Sequence, residues 1–322
     1  MRIGQSFEIA VTSATRKGLV GNRRRGLFAG ECGVQVRVGD DGVETGHRRE
    51  FELGDEEFQF LASFMSRETG IVLSAHKRQM VCGRLVKRLR ALHMRSFAEY
   101  VDLLQGPGAA AEVENLVNAI TTNITNFFRE PHHFDFLKNA VLAPRVTERP
   151  RRPRIRIWSA GCSSGEEPYS IAMTMADVLK PNEGWDALIL ATDIDTNMLR
   201  RGEAGIYPSD ALKHIPDTYR KRFIRRVPGD SERIQMADEL RGMIRFRRLN
   251  LHETWPMKGK FDVIFCRNVA IYFDKPTQRH LFNRYADSLN IGGMLYLGHA
   301  ESLIGVTDRF EVADKTVYRR IK

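Results

Sequence analysis

Residues 154–168, RIRIWSAGCSSGEEP, constrain this chain more than any other stretch. A short β-branched run, Ile155 and Ile157, meets a loop of small residues, Ala160-Gly161-Cys162-Ser163-Ser164-Gly165. Two carboxylates, Glu166 and Glu167, follow, and then Pro168. Proline suits the first turn of a helix, and the apolar spacing of Ile171, Met175 and Leu179 continues one. Strand, glycine turn and helix make the first unit of a nucleotide-type α/β domain. A pyrophosphate cradled in such a turn wants bare amides or a lysine. Two carboxylates repel it and suit a ligand with a positive group, such as the ammonium and sulfonium of S-adenosylmethionine. Acids also favour a helix N-terminus on dipole grounds alone, so this segment by itself leaves both readings open. NAD and ATP fail on the missing third glycine and the missing lysine.

The pattern downstream alternates. Strand 187–192 ends at Asp193, and a helix follows around Thr196–Gly202. Strand 261–266, FDVIFC, ends at Arg267-Asn268 and is followed by a helix over 275–289. A Gly292-Gly293 turn, a strand over 294–298 and a last strand at about 310–320 complete the series. Such alternation implies an α/β fold, a mainly parallel sheet with helices on both faces, over 154–322. Residues 207–250 break the rhythm. They hold a basic helical stretch (Thr218–Arg226), a Pro228-Gly229-Asp230 turn and short runs at Arg233–Met236 and Ile244–Arg247, and read as a small inserted β-subdomain.

Upstream, residues 55–130 read as an all-helical domain. Asp55 is placed to cap a helix carrying Phe58, Leu61, Phe64 and Met65. Ser74 to His93 is a second helix, with Met80, Leu85, Leu89 and Leu92 on or near one face. Two more helices are split at Gly106-Pro107-Gly108. The three prolines and the arginines of 143–153 mark a boundary, so 131–153 reads as a linker. Residues 1–54, glycine-rich and basic in places, are expected to be a weakly ordered extension.

The 322 residues carry a net charge of +10, which points to an acidic partner: nucleic acid, anionic membrane or a carboxylate-rich protein. No apolar run approaches the ~20 residues of a membrane span, and no secretory signal is visible at the N-terminus. Membrane insertion is therefore not expected, and the cytoplasm is the expected compartment. The four cysteines, Cys32, Cys82, Cys162 and Cys266, show no CxxC spacing, and His132-His133 has no ligand spacing with acids or other histidines, so no metal is expected. The second helix carries Lys77, Arg84, Lys87 and Arg88, with Arg95 just beyond, and there is no acid between Glu68 and Glu99. It reads either as a solvated face or as a docking surface for an acidic partner.

In open α/β sheets the ligand lies over the carboxyl ends of the strands. Asp193 stands there and suits two ribose hydroxyls; the neighbouring helix cap falls better to Asp195. Asn250 suits an adenine edge. Arg267 and Asn268 follow a buried strand directly, and Tyr272 is positioned to close over the same cleft or to pack as a core tyrosine. In TTNITNFFREPHH, residues 121–133, Asn123, Thr125 and Arg129 alternate with Ile124 and Phe127-Phe128. This stretch reads both as a loop anchored by its aromatics and as a wall of the cleft.

TTNITNFFRE, WSAGCSSGEEPYSIAM, ATDIDTNML, RFRRLNL, FDVIFCRNVAIYFD and LGHAES, in this order and spacing, resemble the chemotaxis-receptor glutamate methyltransferases of CheR type, from about residue 55 to the C-terminus. The resemblance implies a helical domain, then a Rossmann-like S-adenosylmethionine-binding α/β domain with an inserted β-subdomain. It implies methylation of glutamate side chains in the acidic methylation region of chemoreceptor cytoplasmic domains. By resemblance, Asn123, Thr125 and Arg129 line the cofactor cleft, Glu166 and Glu167 face the methionine portion, Asp193 takes the ribose, and Asn250 and Leu251 flank the adenosine. Arg267 and Asn268 complete the cofactor site, and Arg129 and Tyr272 serve the reacting end. The basic helix, Lys77, Arg84, Lys87, Arg88 and Arg95, faces the receptor. A monomer is expected. Two departures stand out. Residue 270 is alanine where a larger apolar residue is usual. The loop near 227–233 holds only Gly229, where members that tether to a receptor's C-terminal peptide carry more glycine.

Two other functions fit less well. A nucleic-acid methyltransferase matches the charge but not the absence of interleaved aromatic platforms. A non-catalytic module that binds S-adenosylmethionine finds its one local argument in Ala270.

Overall fold

The computed structural model describes residues 51–148, 151, 153–179 and 184–322; the expectation of weak order over 1–54 lies, up to residue 50, outside them. The chain divides into two compact units between Ile120 and Thr121, earlier than the boundary at 130 expected from sequence.

Over its described residues the first unit is helical: α1 (Asp55–Thr69), α2 (Arg78–Ala91), α3 (Phe97–Gln105) and α4 (Ala109–Ile120). Helix α1 buries Phe58, Leu61, Phe64 and Met65 along one stripe and ends at Gly70, whose φ of 75° suits a residue without Cβ. Gly54, not Asp55, is its N-cap. Asp55 sits in the first turn, where its charge favours the helix dipole, and pairs with Arg78. Helix α3 is capped by Ser96, which accepts from Glu99 N at 3.2 Å, while Glu99 reaches back to Arg95 N at 2.9 Å.

The basic helix differs from its sequence reading. Acids absent from its own stretch arrive from elsewhere in the fold. Arg88 makes a two-pronged bond to Glu112 of α4, Nε to Oε1 and Nη2 to Oε2, both at 2.6 Å. Tyr100 donates to the same Glu112 at 2.8 Å. Glu112 is buried, so Arg88 serves as an internal tie between α2 and α4 rather than an open docking charge. Arg84 donates to the carbonyl of Ile120 at 2.5 Å. Lys87 and Arg95 are exposed, and Lys77 is half-buried.

The second unit is the α/β domain. It begins with a loop, 121–131, and a helical run in place of the expected linker: α5 (His132–Phe136), a π-helical segment Leu137–Leu142 and α6 (Ala143–Glu148). Phe134, Leu137, Val141 and Leu142 bury one face of that run. Of the three prolines in 143–153 only Pro144 falls in this run, and it is tolerated in the first turn of α6.

The core of the unit is β1 (Arg154–Ala160), α7 (Glu166–Val178), β2 (Asp186–Asp193) and α8 (Thr196–Ala204). A small three-stranded antiparallel sheet is inserted next, β3 (Ile206–Pro208), β4 (Ile224–Val227) and β5 (Asp230–Met236), with α9 (Asp217–Phe223) before β4 and α10 (Asp238–Met243) after β5. The chain returns through β6 (Ile244–Arg248) and β7 (Phe261–Cys266), then α11 (Lys275–Ser288), β8 (Leu289–Leu297), β9 (Phe310–Asp314) and β10 (Val317–Arg320). The seven-stranded sheet runs β6-β2-β1-β7-β8-β10-β9. It is parallel from β6 to β8, and β9 and β10 close it as an antiparallel hairpin.

Three boundaries change. Residues 244–248 belong to the main sheet, paired parallel with β2, and not to the insertion. Ile244 and Phe246 are buried while Arg245 and Arg247 are exposed, an alternation that an edge strand of a large sheet and a strand of a small one share. Gly292-Gly293 lies inside β8 rather than at a turn before it. The last expected strand is the hairpin β9–β10.

Ile155 and Ile157 of β1 pack into the main apolar cluster. Trp158 points the opposite way, into Trp255, Phe261 and Tyr285, and its Nε1 donates to Thr192 Oγ1 at 2.8 Å. From β1 the chain fills the sheet toward β2 and β6, then jumps back to place β7 on the other side of β1. The order therefore reverses between β1 and β7, and that switch point is where open α/β sheets bind ligands.

Candidate active site

The loop after β1 is forced into its shape. Gly161, Ser163 and Gly165 have φ values of 86°, 49° and 100°. At Gly165 a Cβ would stand 2.8 Å from the Tyr207 hydroxyl and 2.9 Å from Gly202 Cα, so only glycine fits. Asp193, at the end of β2, fastens the loop. Its Oδ2 accepts from Ser163 N at 2.7 Å and its Oδ1 from Asp195 N at 3.0 Å. Burial raises the Asp193 carboxyl well above its ordinary range, against those two amides. Asp195 caps α8 through Asn197 N and Met198 N, the role its position suggested.

Segment 121–130 joins this loop. Asp195 Oδ2 accepts from Thr121 Oγ1 at 3.1 Å and from Asn123 Nδ2 at 2.7 Å. Asn123 Oδ1 is buried with no partner. Thr125 is half-buried beside exposed Ile124. Arg129 donates to the Ile124 carbonyl at 3.1 Å. It lines a groove of about 590 Å³, whose other wall is Lys213–Asp217 with Arg220 of the insertion.

Glu166 and Glu167 open α7. Ser164 Oγ donates to Glu166 at 2.7 Å, and Ser159 Oγ donates to Glu167 Oε1 at 2.7 Å. Burial raises both carboxyls, and Arg267 opposes it at Glu167. Arg267 Nη1 stands 3.3 Å from Glu167 Oε2, and its Nη2 lies 3.5 Å from Glu130 Oε2 and donates to the Arg129 carbonyl. Only 2% of the Arg267 side chain is exposed. Arg267 therefore organises the walls of the cleft from within. Next to it, Asn268 takes φ 59°, and its Oδ1 is buried with no partner.

At the β6 end, Asn250 is buried and closes its own turn, accepting from His252 N at 2.9 Å and donating to Glu253 at 3.0 Å. Leu251 is buried behind it, and Leu249 N donates to the Asp193 carbonyl at 3.1 Å, which ties this end to β2. Tyr272 is buried in a short 3₁₀ turn, Ala270–Tyr272. Ala270 is 1% exposed, so its small side chain leaves no opening to solvent.

The side chains thus form two groups: Asn123 and Asp193 share Asp195, and Glu167 and the Arg129 carbonyl meet Arg267, with Asn268 next to Arg267 in the chain. Sequence reasoning passed over Glu130 and Glu301, the first hidden beside Arg129, the second inside LGHAES. It also missed a cluster: Glu130, His132 and His133 each bring a ligand-capable atom within 4.8 Å of the others. Arg267 already supplies the positive charge that faces Glu130, and with His299 it holds that carboxyl below its ordinary value despite burial.

The chain matches the family described as CheR methyltransferase, SAM binding domain, over residues 123–319, and its companion, the CheR methyltransferase all-alpha domain, over 56–121. It belongs to the CheR methyltransferase family. It is 41% identical over 268 residues to the chemotaxis protein methyltransferase of Klebsiella aerogenes, covering 83% of this chain and 90% of that one. Chemotaxis protein methyltransferase 2 of Pseudomonas aeruginosa is 43% identical over 273 residues, covering 84% and 95%. The chemotaxis protein methyltransferase of Escherichia coli is 40% identical over 269 residues, covering 83% and 91%. As a CheR methyltransferase the chain is an S-adenosylmethionine-dependent enzyme of chemotaxis. The site fits that cofactor: two buried acceptors without partners, Asn123 Oδ1 and Asn268 Oδ1, suit its hydroxyl, amino and ammonium donors. Among the described residues no helix is long and apolar enough to cross a membrane.

Proposed function

We propose that this enzyme methylates glutamate side chains in the acidic region of chemoreceptor cytoplasmic domains, acting in the cytoplasm and giving glutamate methyl esters. S-Adenosylmethionine supplies a methyl group already activated by its positive sulfur. A glutamate carboxylate is an anion at pH 7 and needs no base to make it nucleophilic. The protein's task is to hold one carboxylate oxygen in line with the methyl group and strip its water. Such positioning contributes about 7–11 kcal/mol in well-oriented systems.

In this reading Asn123, Thr125, Glu166, Glu167, Asp193, Asn250, Leu251 and Asn268 hold the cofactor. Arg267 acts through Glu167 and the Arg129 carbonyl, keeping both in place. Arg129 and Tyr272 orient the incoming carboxylate. The carrying observation is Arg129, a cation lining a groove, whose carbonyl is bonded to Arg267 at the end of β7. A second supports it. His133, the histidine packed deepest beside the cleft, is pushed down to about 3 by burial, then by Arg267 and His132, and is no base for proton abstraction. The exposed Lys87 and Arg95, with Lys77, serve the acidic receptor surface.

Mass mapping of a chemoreceptor cytoplasmic fragment after incubation with enzyme and S-adenosylmethionine tests the assignment. Methyl groups on glutamates, lost when those glutamates are changed to alanine, support it. Methylation confined to other residue types, or to added RNA, overturns it.

A further inference from the structure

Glu301 lies in LGHAES, a motif that neither the cofactor nor the acceptor reading uses. Its side chain is buried, and its carboxylate accepts four backbone N–H groups. Gly298 N at 2.7 Å and Asn268 N at 2.8 Å reach Oε2. Val269 N at 3.0 Å and Ile271 N at 3.2 Å reach Oε1. Three of the four come from the loop after β7 and one from the loop after β8. Converging amides of this kind form an anion-binding nest, here filled by the protein's own side chain.

The loop after β7 has need of the clamp. Asn268 sits at φ 59°, a left-handed conformation that asparagine tolerates better than most residues but that still costs energy and persists where its surroundings enforce it. Gly298 is the other half of the grip. A Cβ there would lie 2.6 Å from Asn268 Nδ2 and 2.9 Å from Asn268 N, so glycine lets the two loops close. Between them they leave Asn268 Oδ1 buried and without a partner.

We propose that Glu301 is a positioning residue: its carboxylate clamps the Asn268–Tyr272 loop so that Asn268 meets S-adenosylmethionine in a fixed geometry. The proposal rests on the assignment of Asn268 to the cofactor and is independent of the methyl acceptor. A glutamine at 301 would turn an –NH₂ toward amides that need an acceptor, and would lose up to half of the clamp.

The test is calorimetry of S-adenosylhomocysteine binding to the full chain, with Glu301→Gln, Asn268→Ala and the double variant, and thermal unfolding beside it. Glu301→Gln is expected to weaken binding about tenfold or more, with little further loss in the Asn268→Ala background. Gly298→Ala keeps the carboxylate but drives a methyl group into Asn268, and is expected to give the same loss even if Glu301→Gln fails to fold. Equal losses from Glu301→Gln in both backgrounds would overturn the proposal, as would wild-type affinity in Gly298→Ala. Wild-type affinity in Asn268→Ala would sink the assignment of Asn268 itself. None of these outcomes depends on which molecule accepts the methyl group.

Discussion

Arg267 Nη1 lies 3.3 Å from Glu167 Oε2 across the junction of β7 and β1, with 2% of the arginine side chain and 11% of the glutamate exposed. The pair spans the point where the strand order reverses. Removing one partner of a buried ion pair strands the other, at a typical cost of about 3–5 kcal/mol. Arg267 faces two carboxylates, Glu167 and Glu130. Arg267→Leu is therefore expected to lose at least about 3 kcal/mol in urea unfolding. Glu167→Gln, which leaves Arg267 with Glu130, is expected to lose less.

Binding and turnover separate at two other residues. Asp193→Asn leaves one acceptor oxygen where two now serve Ser163 N of the loop after β1 and Asp195 N after β2. Calorimetry is expected to show cofactor affinity reduced about tenfold or more. Arg129→Ala touches the groove and not that loop. Its kcat is expected to fall by about two orders of magnitude with cofactor affinity near wild type, the pattern of a group that acts on the acceptor. Full turnover in Arg129→Ala would remove the arginine from the reaction.

These residues differ in how far they could be read from sequence. The β1 loop and the strand ends were legible because glycine spacing and β-branched runs are local signals. They put Asp193, Arg267 and Asn268 at the ends of strands and Glu167 at the start of a helix, where the structure has them. Pairing is not local. Nothing in the run from Glu68 to Glu99 announces that Glu112 will neutralise Arg88, or that Glu301 will gather amides from a loop some thirty residues upstream. The helical run at 132–148 escapes a sequence reading because the prolines and arginines of 143–153 signal a boundary, although only Pro144 lies within the run. Strand β6 cannot be assigned to either sheet from sequence, because its alternating pattern is the same in both.

His133 ties stability to pH. Its folded-state pKa is depressed to about 3, from 6.5, chiefly by burial and then by Arg267 and His132. The unfolded chain therefore binds the extra proton first. The stability contributed by neutral His133 is present above about pH 6.5 and is lost as pH falls toward 3. At pH 5 the loss amounts to about 2 kcal/mol relative to neutral pH. His133→Gln cannot charge, so its unfolding midpoint is expected to fall less steeply between pH 7 and 5 than that of the wild type. Equal slopes would mean that His133 titrates normally.

The basic helix gives a prediction that distinguishes its arginines and lysines. Lys87→Glu with Arg95→Glu is expected to raise KM for a receptor fragment several-fold, most at low salt, with cofactor affinity unchanged. Arg88→Ala is expected to act on stability instead, because it abandons buried Glu112. Chemical denaturation and initial-rate measurements on the same preparations separate the two effects.

The most direct test of the account is the chemistry of the product. Wild-type enzyme is incubated with methyl-labelled S-adenosylmethionine and a chemoreceptor cytoplasmic fragment, and the labelled fragment is treated with base. A carboxyl methyl ester releases its label as methanol, and that is the predicted result, sharply reduced in Arg129→Ala. Label that stays on the fragment through base treatment would contradict transfer to a glutamate carboxylate.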